Sequence, residues 1–166
     1  MVAFAYQIPV GTIGSVLMTS AGADLNSGVY NPDLMPTAFA SPVKLVNGLV
    51  SAIEEDDTAS VFWGILVAAD VQPPASGVVD NSFGFPAPDV EQDANVMLNG
   101  YAIVKCTVGT PVKGGTVYMR VVPDTGKAVG DLEATADGSD NVAVSQLTWN
   151  VSGKDSDGAT VVLVRT

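Results

Sequence analysis

Seventeen glycines and ten prolines punctuate this 166-residue chain. Between them lie runs rich in β-branched and aromatic residues: 13–18, 43–46, 49–53, 61–68, 97–108, 116–122, 146–151 and 160–165. Each run is bounded by turn chemistry and reads as a strand. Asn47-Gly48 has the preferred sequence of a two-residue hairpin turn. Pro111 to Gly115, Pro123 to Gly126 and Asp155 to Gly158 mark further turns. No window repeats its apolar residues every 3.6 positions with caps at its ends. Regular short strands without helices predict an all-β fold, a β-barrel or a jelly-roll-like sandwich.

Two stretches depart from that rhythm. Residues 72–95 hold four prolines and the pair Phe83 and Phe85 around Gly84, and they read as a long central loop. Loops of this length are usually functional or mobile. Residues 1–12 read as an extended N-terminal arm in front of a β domain spanning 13–166. Val2, Phe4, Tyr6, Ile8 and Val10 occupy alternate positions there, which gives an extended segment one apolar face. Pro9 excludes both a helix and a central strand position. Ordering ten residues costs about 1–2 kcal/mol each. Burying five apolar side chains returns about 1.5–3 kcal/mol each. These terms nearly cancel, so the arm needs backbone hydrogen bonds from a partner sheet edge as well. Val2, Phe4, Tyr6 and Ile8, with Phe83 and Phe85 of the loop, are the candidate partner-contact residues.

Chemistry is constrained by what is missing. The sequence has no histidine and one cysteine, so Ser-His and Cys-His nucleophiles are excluded and a conventional zinc site is disfavoured. Cys106 lies in the apolar run Tyr101 to Cys106 and is expected to be a buried, inert thiol. Glu54-Glu55-Asp56-Asp57 is expected to form a solvated acidic turn. Asp155-x-Asp157-Gly158 and Asp137 to Asn141 resemble calcium loops only in their opening residues, and hairpin turns explain them more simply. Asp131 and Glu133 would share a face of a strand, but a glycosidase pair comes from separate elements at a set distance. Trp63 and Trp149 fall within strand runs, where core packing is the default. No catalytic, cofactor-binding or metal-ligating residue is assigned.

Eighteen acidic against seven basic residues give a formal net charge of −11. Such a surface repels nucleic acid phosphates and anionic membranes, so neither is an expected partner. No signal peptide is expected either, and no apolar run reaches the length of a membrane span.

The C-terminal half carries a family likeness. Gly100 to Cys106, Gly109 to Val121 and the element Gly130 to Ala134 follow one another with characteristic spacing. Val144 to Asn150, Ser152 to Gly158 and a closing strand continue the series, and Pro42 to Val46 has the matching hairpin sequence. This succession resembles the bacteriophage capsid cement, or decoration, proteins. The loop 72–95 has no counterpart in it. The resemblance implies a non-enzymatic virion protein, made in the host cytoplasm and placed on the outer capsid surface between major capsid protein subunits. It also implies self-association, commonly as a homotrimer. The alternative from another class is a carbohydrate-binding β module of a phage tail or cell surface, which requires exposed tryptophan. A carboxylate-dependent glycosidase is a third option, which requires an acidic pair in a cleft.

Overall fold

A computed structural model describes residues 13–17, 23–68 and 88–166. Ten strands are present among them: β1 (Val16–Leu17), β2 (Asp24–Gly28), β3 (Pro42–Val46), β4 (Leu49–Ala52) and β5 (Gly64–Val67) come first. They are followed by β6 (Ala94–Val108), β7 (Thr116–Arg120), β8 (Leu132–Glu133), β9 (Asn141–Trp149) and β10 (Ala159–Arg165). All belong to one sheet, and every strand pairing is antiparallel except β6 with β8. The expected all-β class is therefore found, and of the two forms expected it is the curled, barrel-like one.

The 15-residue β6 organises the sheet because it is paired along both edges. Met97 lies opposite Ile65 of β5 on one side and Leu25 of β2 on the other. Asn99 lies between Asp24 of β2 and Arg165 of β10. From these pairings the sheet curls in two directions. One circuit runs β6–β10–β9–β7–β8 and returns to β6. The other runs β6–β5–β3–β4 and meets Tyr30, which bridges to Val50 just after β2 rejoins the spine.

Each circuit encloses apolar side chains supplied by the period of two. Val104 and Cys106 of β6 face Val117 and Met119 of β7, Leu132 of β8, Leu147 and Trp149 of β9, and Val162 and Val164 of β10 in one buried cluster. Tyr30, Val43, Val50, Leu66, Ala94 and Val96 form the second, with Met35, Phe39 and Trp63 packed against it. Trp149 is 1 % exposed, so its place in the core is as expected.

Local chemistry explains the connections. Asn47 and Gly48 both have positive φ, as a two-residue hairpin between β3 and β4 requires. At Gly100, φ is +133°. An added Cβ would sit 3.3 Å from the Cβ of Ala23 and 3.4 Å from the sulfur of Met97.

Several elements differ from the sequence reading: β6 begins at Ala94, inside the expected loop 72–95, and β9 begins at Asn141, five residues before the expected run 146–151. The run 61–68 is not one strand, because Ala59–Val61 forms a 3-10 turn before β5 begins at Gly64. β2 (Asp-Leu-Asn-Ser-Gly) has no apolar alternation, and its pairing with β6 holds it extended, helped by the Ser27 hydroxyl donating to Asn95 Oδ1 at 3.1 Å. β8 is a two-residue strand captured between β6 and β7.

Gly100→Ala forces a side chain onto positive-φ backbone against Ala23 and Met97, which costs about 1–3 kcal/mol. Chemical denaturation of the variant is expected to show a lowered midpoint with an unchanged slope.

Candidate functional site

The sequence nominated two contact elements more than fifty residues apart, and the fold roots them at one place. The side chains of Val2, Phe4, Tyr6, Ile8, Phe83 and Phe85 lie outside the described residues. The residues from which their segments depart are described. Gly14 follows the arm, and its N–H donates to the Ile103 carbonyl at 2.8 Å. Ala68 precedes the loop, and its N–H donates to the Gly14 carbonyl at 3.0 Å. Arm and loop therefore leave the sheet from hydrogen-bonded neighbours. No local sequence signal announces this, because it depends on how β5 and β6 curl past each other.

Beside this root is a groove of about 310 Å³. Ile13, Ala38, Phe39 and Leu132 supply apolar walls, and Lys105 and Asp131 flank them. The Asp131 carboxylate accepts from the Ala128 N–H at 2.9 Å. Burial raises its pKa above the ordinary carboxylate value, against the pull of that hydrogen bond and of Lys105.

A second exposed feature is β2. Among the described residues no strand pairs with its outer edge over Asp24–Gly28, and just beyond it the Val29 carbonyl accepts from the Val50 N–H at 2.9 Å. Leu25 is 45 % exposed and Val29 59 % exposed, on the same side of extended chain.

The acidic candidates have structural roles. Glu133 is fully buried on the face opposite Leu132, where Arg120 grips it with two bonds, Nε to Oε1 at 2.8 Å and Nη2 to Oε2 at 3.0 Å. Arg120 Nη2 also donates to Asp137 at 2.6 Å, and Lys127 donates to the same oxygen at 2.7 Å. The Asn141 amide donates to Glu133 and to the Thr135 carbonyl. Asp131 and Glu133 thus do not act as a pair, and the 137–141 segment is part of an ion network as well as a turn. Hydrogen bonds from Lys127 and Arg120 hold the Asp137 carboxyl down at about 2. Glu54 and Asp57 both accept from buried Lys44, at 2.8 and 2.6 Å, so half of the expected solvated acidic run is engaged. Burial disfavours the Lys44 ammonium, but these bonds outweigh it and raise its pKa. Asp155 accepts from the N–H groups of Asp157 and Ala159, as a hairpin turn would have it.

Cys106 is buried, and burial pushes its thiol up, in keeping with an inert role. Trp63 is half-buried against the second core and Trp149 is fully enclosed, so neither forms an open sugar platform. No group of three or more potential metal ligands occurs among the described residues.

The fold defines a class, an all-β protein built on one strongly curled sheet. A chain from the capsid of Myoviridae phage XM1 shares the architecture with a TM-score of 0.65, covering 99 % of this chain and 96 % of that one at 17 % identity. No curated protein matches the chain. The model of the XM1 gp53 minor capsid protein family matches residues 1–165, and the chain belongs to that family. It is a minor capsid protein, a non-enzymatic structural component of a phage virion.

Two outcomes follow for the ion network. Glu133→Leu takes from the buried Arg120 guanidinium its two-bond partner, leaving Asp137 as the close carboxylate, and is expected to cost about 3–5 kcal/mol, whereas pairing it with Arg120→Met recovers most of the loss. Denaturant titration of both variants checks this. Asp137 has a folded pKa below its ordinary 3.8, so its contribution is complete above about pH 4 and disappears as pH falls towards 2. The melting temperatures of wild type and Asp137→Asn are expected to differ at pH 6 and to converge across that window.

Proposed function

We propose that this minor capsid protein decorates the outer capsid surface and stabilises it by bridging major capsid protein subunits. The observation that carries the reading is the shared root of arm and loop at Gly14 and Ala68. Two segments bearing apolar contact residues start from one end of a rigid body, so both can reach the same joint in a lattice. Val2, Phe4, Tyr6 and Ile8 add strand-like contacts from the arm, and Phe83 and Phe85 act as aromatic anchors from the loop. The outer edge of β2 at Asp24–Gly28, with exposed Leu25, offers a further strand-pairing surface and suits self-association, with a homotrimer as the expected form.

The charge supports an outward position. Lys44, Arg120 and Lys127 are engaged by carboxylates within the fold, so three of the seven cations are tied up locally. An acidic body of this kind is repelled by packaged nucleic acid. Individual contacts need not be strong, because repetition over a lattice and two linked attachment points raise the effective concentration.

Deleting residues 2–10 is expected to abolish binding to capsids assembled without this protein, measured by co-sedimentation, while far-UV circular dichroism retains the β signature. Full-occupancy decoration by the truncated chain would show that the arm is not the attachment element.

A further inference from the structure

Two Asn-Gly pairs occur in the chain, and the fold treats them in opposite ways. Asn47-Gly48 is the whole of the loop between β3 and β4, closed by the pairing of Val46 with Leu49. Both loop residues are exposed. A two-residue hairpin places its ladder bonds between the flanking residues, so the Gly48 N–H lies outside the ladder. A Cβ built on Gly48 would meet nothing within 4 Å, and the space around its amide is open. Asn99-Gly100 lies inside β6 instead. Gly100 is opposite Val164 of β10, and Asn99 is opposite both Asp24 and Arg165. Leu98 accepts from the Thr166 N–H, and Cys106 donates to the Gly158 carbonyl. Alternation then turns the backbone groups of Gly100 towards β10 as well, in a hydrogen-bonded pair with Val164.

We propose that Asn47 is a site of spontaneous deamidation and that its conversion loosens the β3–β4 hairpin. The Gly48 nitrogen, losing its proton to solvent base, bonds to the side-chain carbonyl carbon of Asn47. The carboxamide C–N bond breaks, and ammonia leaves with a proton from water. The cyclic imide that remains is opened by water at either carbonyl. Opening at the former side-chain carbonyl gives aspartate, and opening at the main-chain carbonyl gives isoaspartate. Glycine favours the attack, because a side chain on residue 48 would crowd the nitrogen. Bringing Gly48 round to Asn47 disturbs only the end of one hairpin, a local opening of low cost. At Gly100 the same movement would break pairing along β6. Isoaspartate routes the main chain through the former side chain and lengthens the loop by one carbon. The positive φ values of 53° and 82° that close the loop are then lost. The strands it joins carry Val43 and Val50 of the second core, so the change reaches the packing of that end.

Peptide mapping of the full-length protein, aged in neutral and in mildly alkaline buffer, tests the site, with the urea-unfolded chain as reference. In urea both pairs are expected to convert at similar rates. In the folded protein Asn47 is expected to convert at least about tenfold faster than Asn99, because only Asn99 needs the sheet to open. Isoaspartate is expected to exceed aspartate, and the alkaline buffer to speed conversion. Folding that protects Asn47 as strongly as Asn99, or a product that is aspartate alone, overturns the proposal. The loosening has its own readout. A freshly prepared Asn47→Asp variant carries the new charge without the extra carbon, and aspartate tolerates left-handed backbone. Aged protein is expected to melt about 3 °C below this variant, a modest shift for a chain this long. Equal melting temperatures would show that conversion leaves the hairpin intact and overturn that half of the proposal. Neither measurement reads capsid binding, so either result leaves the outer-surface role untouched.

Discussion

Backbone pairing along both edges of β6 is the constraint on which the rest of this molecule depends. The strand runs through the middle of the protein, and Val96, Met97, Ala102 and Val104 along it are wholly inaccessible to water. Buried amides and carbonyls must find partners, and five other strands, β1, β2, β5, β8 and β10, supply them. Those partners come from both halves of the sequence, so the N-terminal and C-terminal strands form one interleaved sheet. The pairs are also distant in sequence; Ala102 is paired with Val16 on one side and Val162 on the other. A topology of this kind closes long loops before its contacts reward it, which places the protein among the slow folders.

Charge is managed around that spine in a way that fixes register. Arg120 and Glu133 project from the faces of β7 and β8 opposite Met119 and Leu132, and both are fully buried. The net stabilisation from such a pair is small, because both groups lose their water. Its effect on alternatives is larger. A slip of one residue in β8 would turn Glu133 into the apolar core and Leu132 away from it. For a strand of only two residues, whose few hydrogen bonds tolerate slippage, this is the main reason for one arrangement. Lys44 plays the corresponding part at the β4 exit, where it gathers Glu54 and Asp57.

Much of the fold was legible from local pattern. The runs that became β3, β4, β6, β7, β9 and β10 combine β-branched residues with turn signals at their ends, and Asn47-Gly48 encodes its hairpin in two residues. β2 and β8 were not legible. Asp-Leu-Asn-Ser-Gly has the composition of a turn, and Leu-Glu is too short to show any period, so each is a strand only because β6 lies beside it. The acidic residues misled for a related reason. Composition locates a carboxylate along the chain, but its role depends on whether Arg120 or Lys44 arrives from another strand.

By itself the sequence determined that the chain is all-β, that histidine and paired-cysteine chemistry are absent, and that two apolar segments lie apart from the strand rhythm. These are properties of residue identity and of neighbours within a few positions. Only the tertiary structure decided that the segments share a root, that a groove opens beside it, and that Glu133 is locked to Arg120. Each of these requires residues far apart in sequence to meet, and that meeting is set by the curl of the sheet about β6.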